Sequence, residues 1–302
     1  MISIFNILNK TQAELLDFCE THLKQHGYED TDVLKTQDFL FAQGDIPIML
    51  VAHLDTVHKK LPEIYYDKQK RVLWSPDGIG GDDRCGVYAL LKICETHKPY
   101  ILFTTDEEVG GLGAGAFTEH FKGVQLQNDI DFIIEIDRRG YNEAVFYDCG
   151  NKDFEEYITS FGLTKAHGTF SDISVISPAF DIASVNLSAG YYNEHTTTEH
   201  IFLNDLNHTI DKVKEILDDT ENHKKYDYQE VQHHYAYPKT VQTTYFNANE
   251  DIELPKFVIT DFVTLTKGQW YKYYGFKKPN TLKELKKKYA EHFDDSYYDG
   301  WY

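Results

Sequence analysis

Residues 100–111 read YILFTTDEEVGG, a mostly apolar run followed by three consecutive carboxylates and two glycines. An apolar run of this length, residues 100–105, is typical of a central strand that is covered on both faces. Asp106, Glu107 and Glu108 follow it directly. Carboxylates this close repel each other unless they are solvated or lie near a positive charge. The stretch therefore indicates either a solvated loop or a metal site at the end of a buried strand.

Three further apolar runs predict the rest of a sheet, at residues 46–52, 131–136 and 183–188. Helical patterns lie between and after them, at 83–96 and 204–217, and a T-x-x-E capping box at Thr11 and Glu14 begins a helix near 11–26. Strands that alternate with helices predict an α/β fold. We expect a mixed, mostly parallel central sheet flanked by helices.

The charge of the chain indicates which partners it suits. Its 302 residues carry a net charge of −19, and residues 221–302 hold equal numbers of acidic and basic side chains, so the excess lies in residues 1–220. An acidic body disfavours a nucleic-acid backbone and suits metal ions or the ammonium group of a peptide. The sequence has no membrane-length apolar run, no secretory signal, and no metal-type or disulfide-type spacing of its four cysteines. We expect a cytoplasmic protein with no nucleic-acid or membrane partner.

Imidazoles and carboxylates recur just after the predicted strands and at helix starts. In such sheets ligands bind beyond the carboxyl ends of the strands. Two histidines and three carboxylates are too many for one tetrahedral ion that also holds water, and they fit two ions that share a bridging carboxylate. One glutamate of the Glu107–Glu108 pair would bind metal while its neighbour acts as general base. The histidines and carboxylates at this edge, from which such a ligand set would come, are His53 with Asp55, Asp82 with Asp83, Glu107 with Glu108, Asp137, and His195.

Five stretches that contain these residues follow one another in the chain: MLVAHLDTV (49–57), GIGGDDRCG (78–86), FTTDEEVGG (103–111), EID (135–137) and GYYNEHTTTEHI (190–201). In this order they make the sequence resemble the co-catalytic dizinc exopeptidase superfamily, which includes bacterial tripeptidase T, glutamate carboxypeptidases and dizinc aminopeptidases. The resemblance covers roughly residues 10–218 and implies the zinc exopeptidase fold for a catalytic domain at 1–220. Between Asp137 and His195 the chain is too short for the lid domain of many relatives, so we expect a core without a lid.

The resemblance implies a role for each residue of these stretches. Asp55 would orient a metal-binding histidine through its second ring nitrogen. Glu107 would be the general base, and then the acid, for hydrolysis by metal-bound hydroxide. Asp82 would bridge the metals and precede a cis peptide bond. Two Zn²⁺ per chain are implied, although Co²⁺ or Mn²⁺ fits the same donors. The implied metal ligands are His53, Asp82, Glu108, Asp137 and His195.

Some neighbouring residues have competing interpretations. Glu135 lies on the same side of its strand as Asp137, but the family register favours Asp137. Tyr191 and Tyr192 are candidate oxyanion donors by position only. Asp172 is expected to cap a helix.

Two further sets of polar residues flank the motifs. Arg138 and Arg139 would bind a substrate carboxylate or form ion pairs. His200 is expected to be structural or exposed, and His58 has no motif context.

We expect a hydrolase of small peptides or N-acyl amino acids, and an aminopeptidase in the first place. The alternatives are a carboxypeptidase or N-acyl amino acid deacylase, a single-zinc acyltransferase like the glutaminyl cyclases, and a non-catalytic binding module. The last would act through residues 221–302, which match no family pattern. A predicted strand or hairpin at 255–266 and a helix at 281–293 make these residues an aromatic-rich α+β appendage.

Overall fold

The structure is a computed structural model that describes residues 2–231. Helices and strands alternate along the described chain, as the sequence predicts. The helices are α1 (Ile4–Leu8), α2 (Gln12–Gln25), α3 (Gly81–Cys94), α4 (Leu112–His120), α5 (Lys152–Ser160), α6 (Ile173–Phe180) and α7 (Leu203–Asp218). The strands are β1 (Val33–Lys35), β2 (Phe39–Ala42), β3 (Ile46–His53), β4 (Tyr65–Asp67), β5 (Val72–Trp74), β6 (Pro99–Thr104), β7 (Phe132–Arg138), β8 (Glu143–Val145), β9 (Thr164–Ala166), β10 (Ser184–Ser188), β11 (Tyr191–Tyr192) and β12 (His200–Phe202).

The main sheet has eight strands in the order β1-β2-β6-β3-β7-β10-β8-β9. Its four central strands, β6, β3, β7 and β10, run parallel to one another. Toward the edges of the sheet, β2 pairs antiparallel with β6, β1 with β2, and β8 with β10. The four central strands are the strands predicted from apolar runs. The prediction of a mixed, mostly parallel sheet flanked by helices is confirmed.

Alternate residues of the central strands enter two separate cores. Leu50 and Ile101 pack with the inner faces of α3 and α7. Met49 and Leu102 pack on the opposite face with α4 and α6. Because successive side chains of a strand point to opposite faces, a strand covered by helices on both sides must be apolar at nearly every position. This requirement explains the continuous apolar runs of the sequence.

The capping box of α2 is present as predicted. Thr11 Oγ1 accepts a hydrogen bond from the Glu14 backbone N–H at 3.3 Å, and the Glu14 carboxylate accepts one from the Thr11 N–H at 2.8 Å. Gly27, with φ of +91°, follows the helix. Only glycine adopts this left-handed region without a steric cost, so the helix ends there.

A second sheet, small and not predicted, has the order β11-β12-β5-β4. Its strands are only two or three residues long, too short for an apolar period to appear in the sequence. His195 lies in the turn between β11 and β12, so this sheet sets the position of that predicted ligand.

The interval from Asp137 to His195 holds β8, α5, β9, α6, β10 and β11, with no inserted domain, as predicted. Residues 221–231 pack on the same body: Tyr226 is buried, and its backbone exchanges hydrogen bonds with Asp131 and Ala183. A domain boundary after residue 220 stays a prediction. The elements predicted at 255–266 and 281–293 lie outside the described residues. Among residues 2–231, no helix is both long and apolar enough to cross a membrane.

Candidate active site

The predicted site residues gather at the carboxyl edge of the main sheet. His53 is the last residue of β3, Asp137 is near the end of β7, and Glu107 and Glu108 follow β6. Asp82 lies in the first turn of α3. This edge is where open α/β sheets bind ligands, because the strand ends and helix starts leave polar groups exposed there.

One group of donors surrounds the buried ring of His53. Its Nε2 is 3.2 Å from Asp82 Oδ1 and 3.5 Å from Asp137 Oδ1. Asp83 is a further carboxylate within reach of a metal in this group, although the family resemblance does not imply it as a ligand. The Asp83 side chain already accepts hydrogen bonds from the backbone N–H groups of His53 and Gly86.

A second group surrounds His195. The Nε2 atom of His195 is 2.9 Å from Glu108 Oε1 and 3.1 Å from Asp82 Oδ2. Asp82 therefore turns one oxygen toward each histidine and belongs to both groups. His195 has a φ of +60°, which is uncommon for a residue other than glycine. Such backbone strain is concentrated at functional sites.

Asp55 ties the histidine of the first group to the glutamate pair. Its Oδ1 accepts from His53 Nδ1 at 3.1 Å and from the Glu107 backbone N–H at 3.0 Å. Its Oδ2 accepts from the Glu108 backbone N–H at 3.1 Å. The contact with His53 leaves Nε2 to face the carboxylates of the site. The two contacts with backbone N–H groups could not be predicted from the sequence.

The loop that carries Asp82 is fixed by Glu199, a buried carboxylate. Glu199 accepts hydrogen bonds from the backbone N–H groups of Gly80 and Asp82, at 2.8 and 3.0 Å, and pairs with His58 Nε2 at 2.7 Å. The peptide bond between Asp82 and Asp83 is cis, as predicted. No role for His58 could be predicted from the sequence, because its partner is far away along the chain.

The electrostatics of the cluster attract positive charge. Hydrogen bonds to Asp82 and Glu108 raise the pKa of His195 to about 10. Burial alone would lower the pKa of His53, but Asp137, Asp55 and Asp82 raise it well above its usual value. Burial and the charge of Asp82 raise the pKa of Asp137 to about 7. Carboxylates that hold protons on their neighbours in this way will also hold metal cations, which displace those protons.

Glu107 differs from the other carboxylates of the site. No group among residues 2–231 donates a hydrogen bond to its side chain, and burial, with the charges of Asp137, Asp172 and Glu108, raises its pKa to about 8. One of its oxygens lies within 4.8 Å of donor atoms of His53 and Glu108. A carboxylate that is near the cluster but has no partner is suited to take and return a proton.

The donor set fits metal binding of the kind that the sequence predicts. The described residues contain three groups with ligand atoms within 4.8 Å of one another, and together these include all five predicted ligands. Imidazole nitrogen and carboxylate oxygen are the donors that zinc and its neighbours prefer. The assignment of individual ligands stays a prediction.

The structure contradicts one expectation, that Asp172 caps a helix. Asp172 precedes α6 but has helical backbone angles, and its side chain makes no cap hydrogen bond. It is fully buried instead, accepts a hydrogen bond from Thr104 Oγ1, and leaves Oδ1 without a partner among residues 2–231. A helical backbone at this position turns the side chain away from the α6 N–H groups, so the cap prediction was wrong.

Tyr191, Tyr192 and Glu135, which had competing interpretations, each have a defined hydrogen-bond partner. The Tyr191 hydroxyl donates to Asp137 Oδ1 at 3.2 Å, while Tyr192 donates to Asp205. Neither contact is that of a free oxyanion donor. Glu135 is buried and accepts from Ser171, whereas Asp137 reaches His53.

His200 and the two arginines have partners outside the donor groups. His200 hydrogen-bonds to the Thr198 carbonyl. Arg138 pairs with Glu143, and Arg139 pairs with Glu194. The interpretation of the arginines as ion-pair residues therefore describes them better.

A cleft of about 170 Å³ opens above the cluster. Its lining includes the carboxylates of Asp82, Glu107 and Glu108 and the aromatic residues Tyr147 and Phe170. The cleft has room for a small ligand directly beside Glu107.

A family comparison agrees with this geometry. Residues 41–174 match the family model described as Peptidase family M28. The matched range contains His53, Asp82, Glu107 and Asp137 and ends before His195. The predicted resemblance to the dizinc exopeptidases and the prediction of a metallopeptidase are both confirmed by this match. A search of curated proteins found no match.

Several solved structures share the fold. The aminopeptidase PepT from Bacillus cereus has a TM-score of 0.58 and 14% identity, with 72% of this chain and 97% of that chain covered. A tripeptidase from Staphylococcus aureus has a TM-score of 0.57 and 15% identity, covering 71% and 95%. An aminopeptidase from the archaeon Desulfurococcus kamchatkensis has a TM-score of 0.54 and 14% identity, covering 72% and 93%. At such identities the likeness shows the fold alone.

Proposed function

We propose that this metallopeptidase is an exopeptidase that holds two divalent metal ions, zinc in the first place, and hydrolyses small peptides from their amino end. The observation that carries the proposal is the position of Asp82, whose two oxygens face His53 and His195 separately. A carboxylate shared in this way is what two neighbouring metal ions require.

The ions would be held by His53, Asp82 and Asp137 on one side and by Asp82, Glu108 and His195 on the other. When bound, such ions polarise the scissile carbonyl group and lower the pKa of a water molecule. Glu107 accepts the proton of the attacking water and delivers it to the nitrogen of the departing amine. Asp55 keeps His53 in the required tautomer and fixes the backbone of Glu107 and Glu108 at the same time. Tyr191 orients Asp137.

The charges of the cleft favour an amino end over a carboxyl end. Carboxylates line it in excess, and each of its two arginines, Arg138 and Arg139, is paired with a glutamate. Among residues 2–231 the cleft therefore has no unpaired arginine or lysine to receive a substrate carboxylate. The negative charge suits the ammonium group of an unblocked peptide. Two of the structural neighbours are named aminopeptidases and one is named a tripeptidase, which agrees with this choice.

The test of the base compares Glu107→Gln with Glu119→Gln, an exposed substitution away from the cleft. We expect E107Q to retain its metal but to lose peptide hydrolysis by at least 10²-fold, because general base catalysis contributes about 10²–10⁴-fold. Metal content and kcat are measured on the same preparations. Turnover by E107Q at the parent rate would overturn the assignment.

The substrate end is tested with blocked and unblocked dipeptides on the metal-loaded protein. Cleavage that requires a free amino group supports the proposal. Cleavage that requires a free carboxyl group would instead identify a carboxypeptidase or an N-acyl amino acid deacylase.

A further inference from the structure

A second cavity, of about 260 Å³, adjoins the site at Asp55 and shares no lining residue with the substrate cleft. Its walls come from the end of α1, the start of α2, the loop after β3 and the turn before α3. Four cationic side chains line it, and we call it the basic pocket: Lys10, Lys59, Lys60 and Arg84.

The four cations of the basic pocket lack ion pairs with any carboxylate of residues 2–231. The chain has 49 acidic and 30 basic side chains, so carboxylates are not scarce. Of the sixteen other lysines and arginines of residues 2–231, ten form ion pairs, and some, such as Lys35 and Lys98, each reach two carboxylates. Four cations in one cavity, lined by a single carboxylate and without ion pairs among residues 2–231, favour the binding of an anion.

Arg84 is the buried member of the group, with 4% of its surface exposed. Its Nη1 donates to the backbone carbonyls of Ile7 and Lys10, at 3.1 and 2.6 Å. Its Nε has no acceptor among the described residues. A buried donor without a partner is uncommon and requires an explanation such as an unfilled ligand position.

One carboxylate faces four cations in the pocket, and its charge acts on Arg84 without a hydrogen bond between them. Asp55 is the lining carboxylate, and both its oxygens already accept hydrogen bonds from His53, Glu107 and Glu108. His58 pairs with Glu199. The start of α2, at Thr11 and Gln12, adds the positive end of a helix dipole.

We propose that the basic pocket binds a small multivalent oxyanion, either a phosphate ester or a tricarboxylate. The guanidinium of Arg84 offers fixed donors to such oxygens, and the flexible Lys59 and Lys60 close over them as point charges. The proposal does not depend on the peptidase activity, because the pocket and the cleft are lined by different residues.

The experiment titrates the metal-loaded full chain with glycerol 2-phosphate and, separately, with tricarballylate, by isothermal calorimetry. The variant is K59Q/K60Q, whose substitutions are exposed and leave Arg84 and the fold untouched. The matched control is K68Q/K70Q, which removes the same charge from two exposed lysines in the turn after β4. Neither pair lies in the proposed catalytic machinery.

We expect one of the two anions to bind the parent and K68Q/K70Q alike, and to bind K59Q/K60Q at least tenfold more weakly. Which of the two anions binds shows whether the ligand of the basic pocket is a phosphate ester or a tricarboxylate. Equal affinity for both double variants would place the anion elsewhere, for example at the metal ions, and would overturn the proposal. Absence of binding to the parent by either anion would overturn it as well.

Discussion

At the scale of single residues, the carboxylates of the candidate site differ in the groups that donate hydrogen bonds to them. Asp82 faces two histidines, and hydrogen bonds from His195 and His53 hold its pKa below the usual value although burial opposes this. Glu107 has no such donor, and burial raises its pKa to about 8. The same type of side chain is therefore an anion in one place and a proton carrier in the other.

The raised pKa of Glu107 predicts how stability depends on pH in protein from which metal has been removed. The folded state holds this proton more tightly than the unfolded chain between pH 5 and pH 8, so stability falls as pH rises through that interval. Glu107→Gln removes the cost of burying the charge. At pH 8 we expect metal-free E107Q to melt about 2–4 °C above the metal-free parent, which is the shift that about 1 kcal/mol of stability gives. At pH 5 we expect the two proteins to melt at the same temperature. Melting curves check this, and a difference that is constant with pH would contradict it.

At the scale of elements, the start of α3 depends on a close approach to β7. Asp82 and Asp83 depart from helical backbone angles within α3. Gly86 packs directly against β7, and a Cβ atom there would overlap the carbonyl oxygen of Ile136 and the Asp83 carboxylate. The absence of a side chain at this position lets the helix bring Asp82 to the strand ends.

We predict that Gly86→Ala destabilises the fold by about 1–3 kcal/mol, the usual cost of overpacking, and displaces Asp82 enough to lower kcat. The matched control is Gly115→Ala in α4, where a Cβ would meet nothing within 4 Å. That change should be neutral or stabilising by up to about 1 kcal/mol. Urea unfolding and peptide hydrolysis measure both effects. A G86A variant as stable as G115A would contradict this account of α3.

The elements also show how far the sequence predicts the fold. β3, β6, β7 and β10 were predictable because burial on both faces leaves a continuous apolar run. The small sheet was not, because strands of two or three residues carry no period. In the site, the gathering of strand-end histidines and carboxylates at one edge of the sheet could be predicted from their order and chemistry. The Glu199–His58 contact could not, because it joins residues far apart in the chain and depends on the turn between β11 and β12.

At the scale of the whole molecule, residues 2–231 fall within one compact unit, Met1–Gln232. The end of this unit contributes to its core. The Tyr226 ring lies 5.2 Å from Phe154 and 5.8 Å from Tyr157, centroid to centroid, and 6.0 Å from Phe132. Residues 221–231 therefore pack on the unit that holds the site.

We predict that a chain of residues 1–232 folds and binds metal, whereas a chain of residues 1–220 is much less stable. Loss of a buried aromatic side chain typically costs about 3–5 kcal/mol. Thermal unfolding of both chains, together with Tyr226→Ala in the full chain, measures the difference. Equal stability of the two truncated chains would contradict the role given to Tyr226.

The most direct test of the proposed metal centre is zinc-edge anomalous diffraction from crystals of the zinc-loaded protein. We predict two peaks about 3.5–4 Å apart on either side of Asp82, one within about 2.0–2.2 Å of His53 and the other equally close to His195. A single peak, or two peaks that do not share Asp82, would contradict the dimetal account.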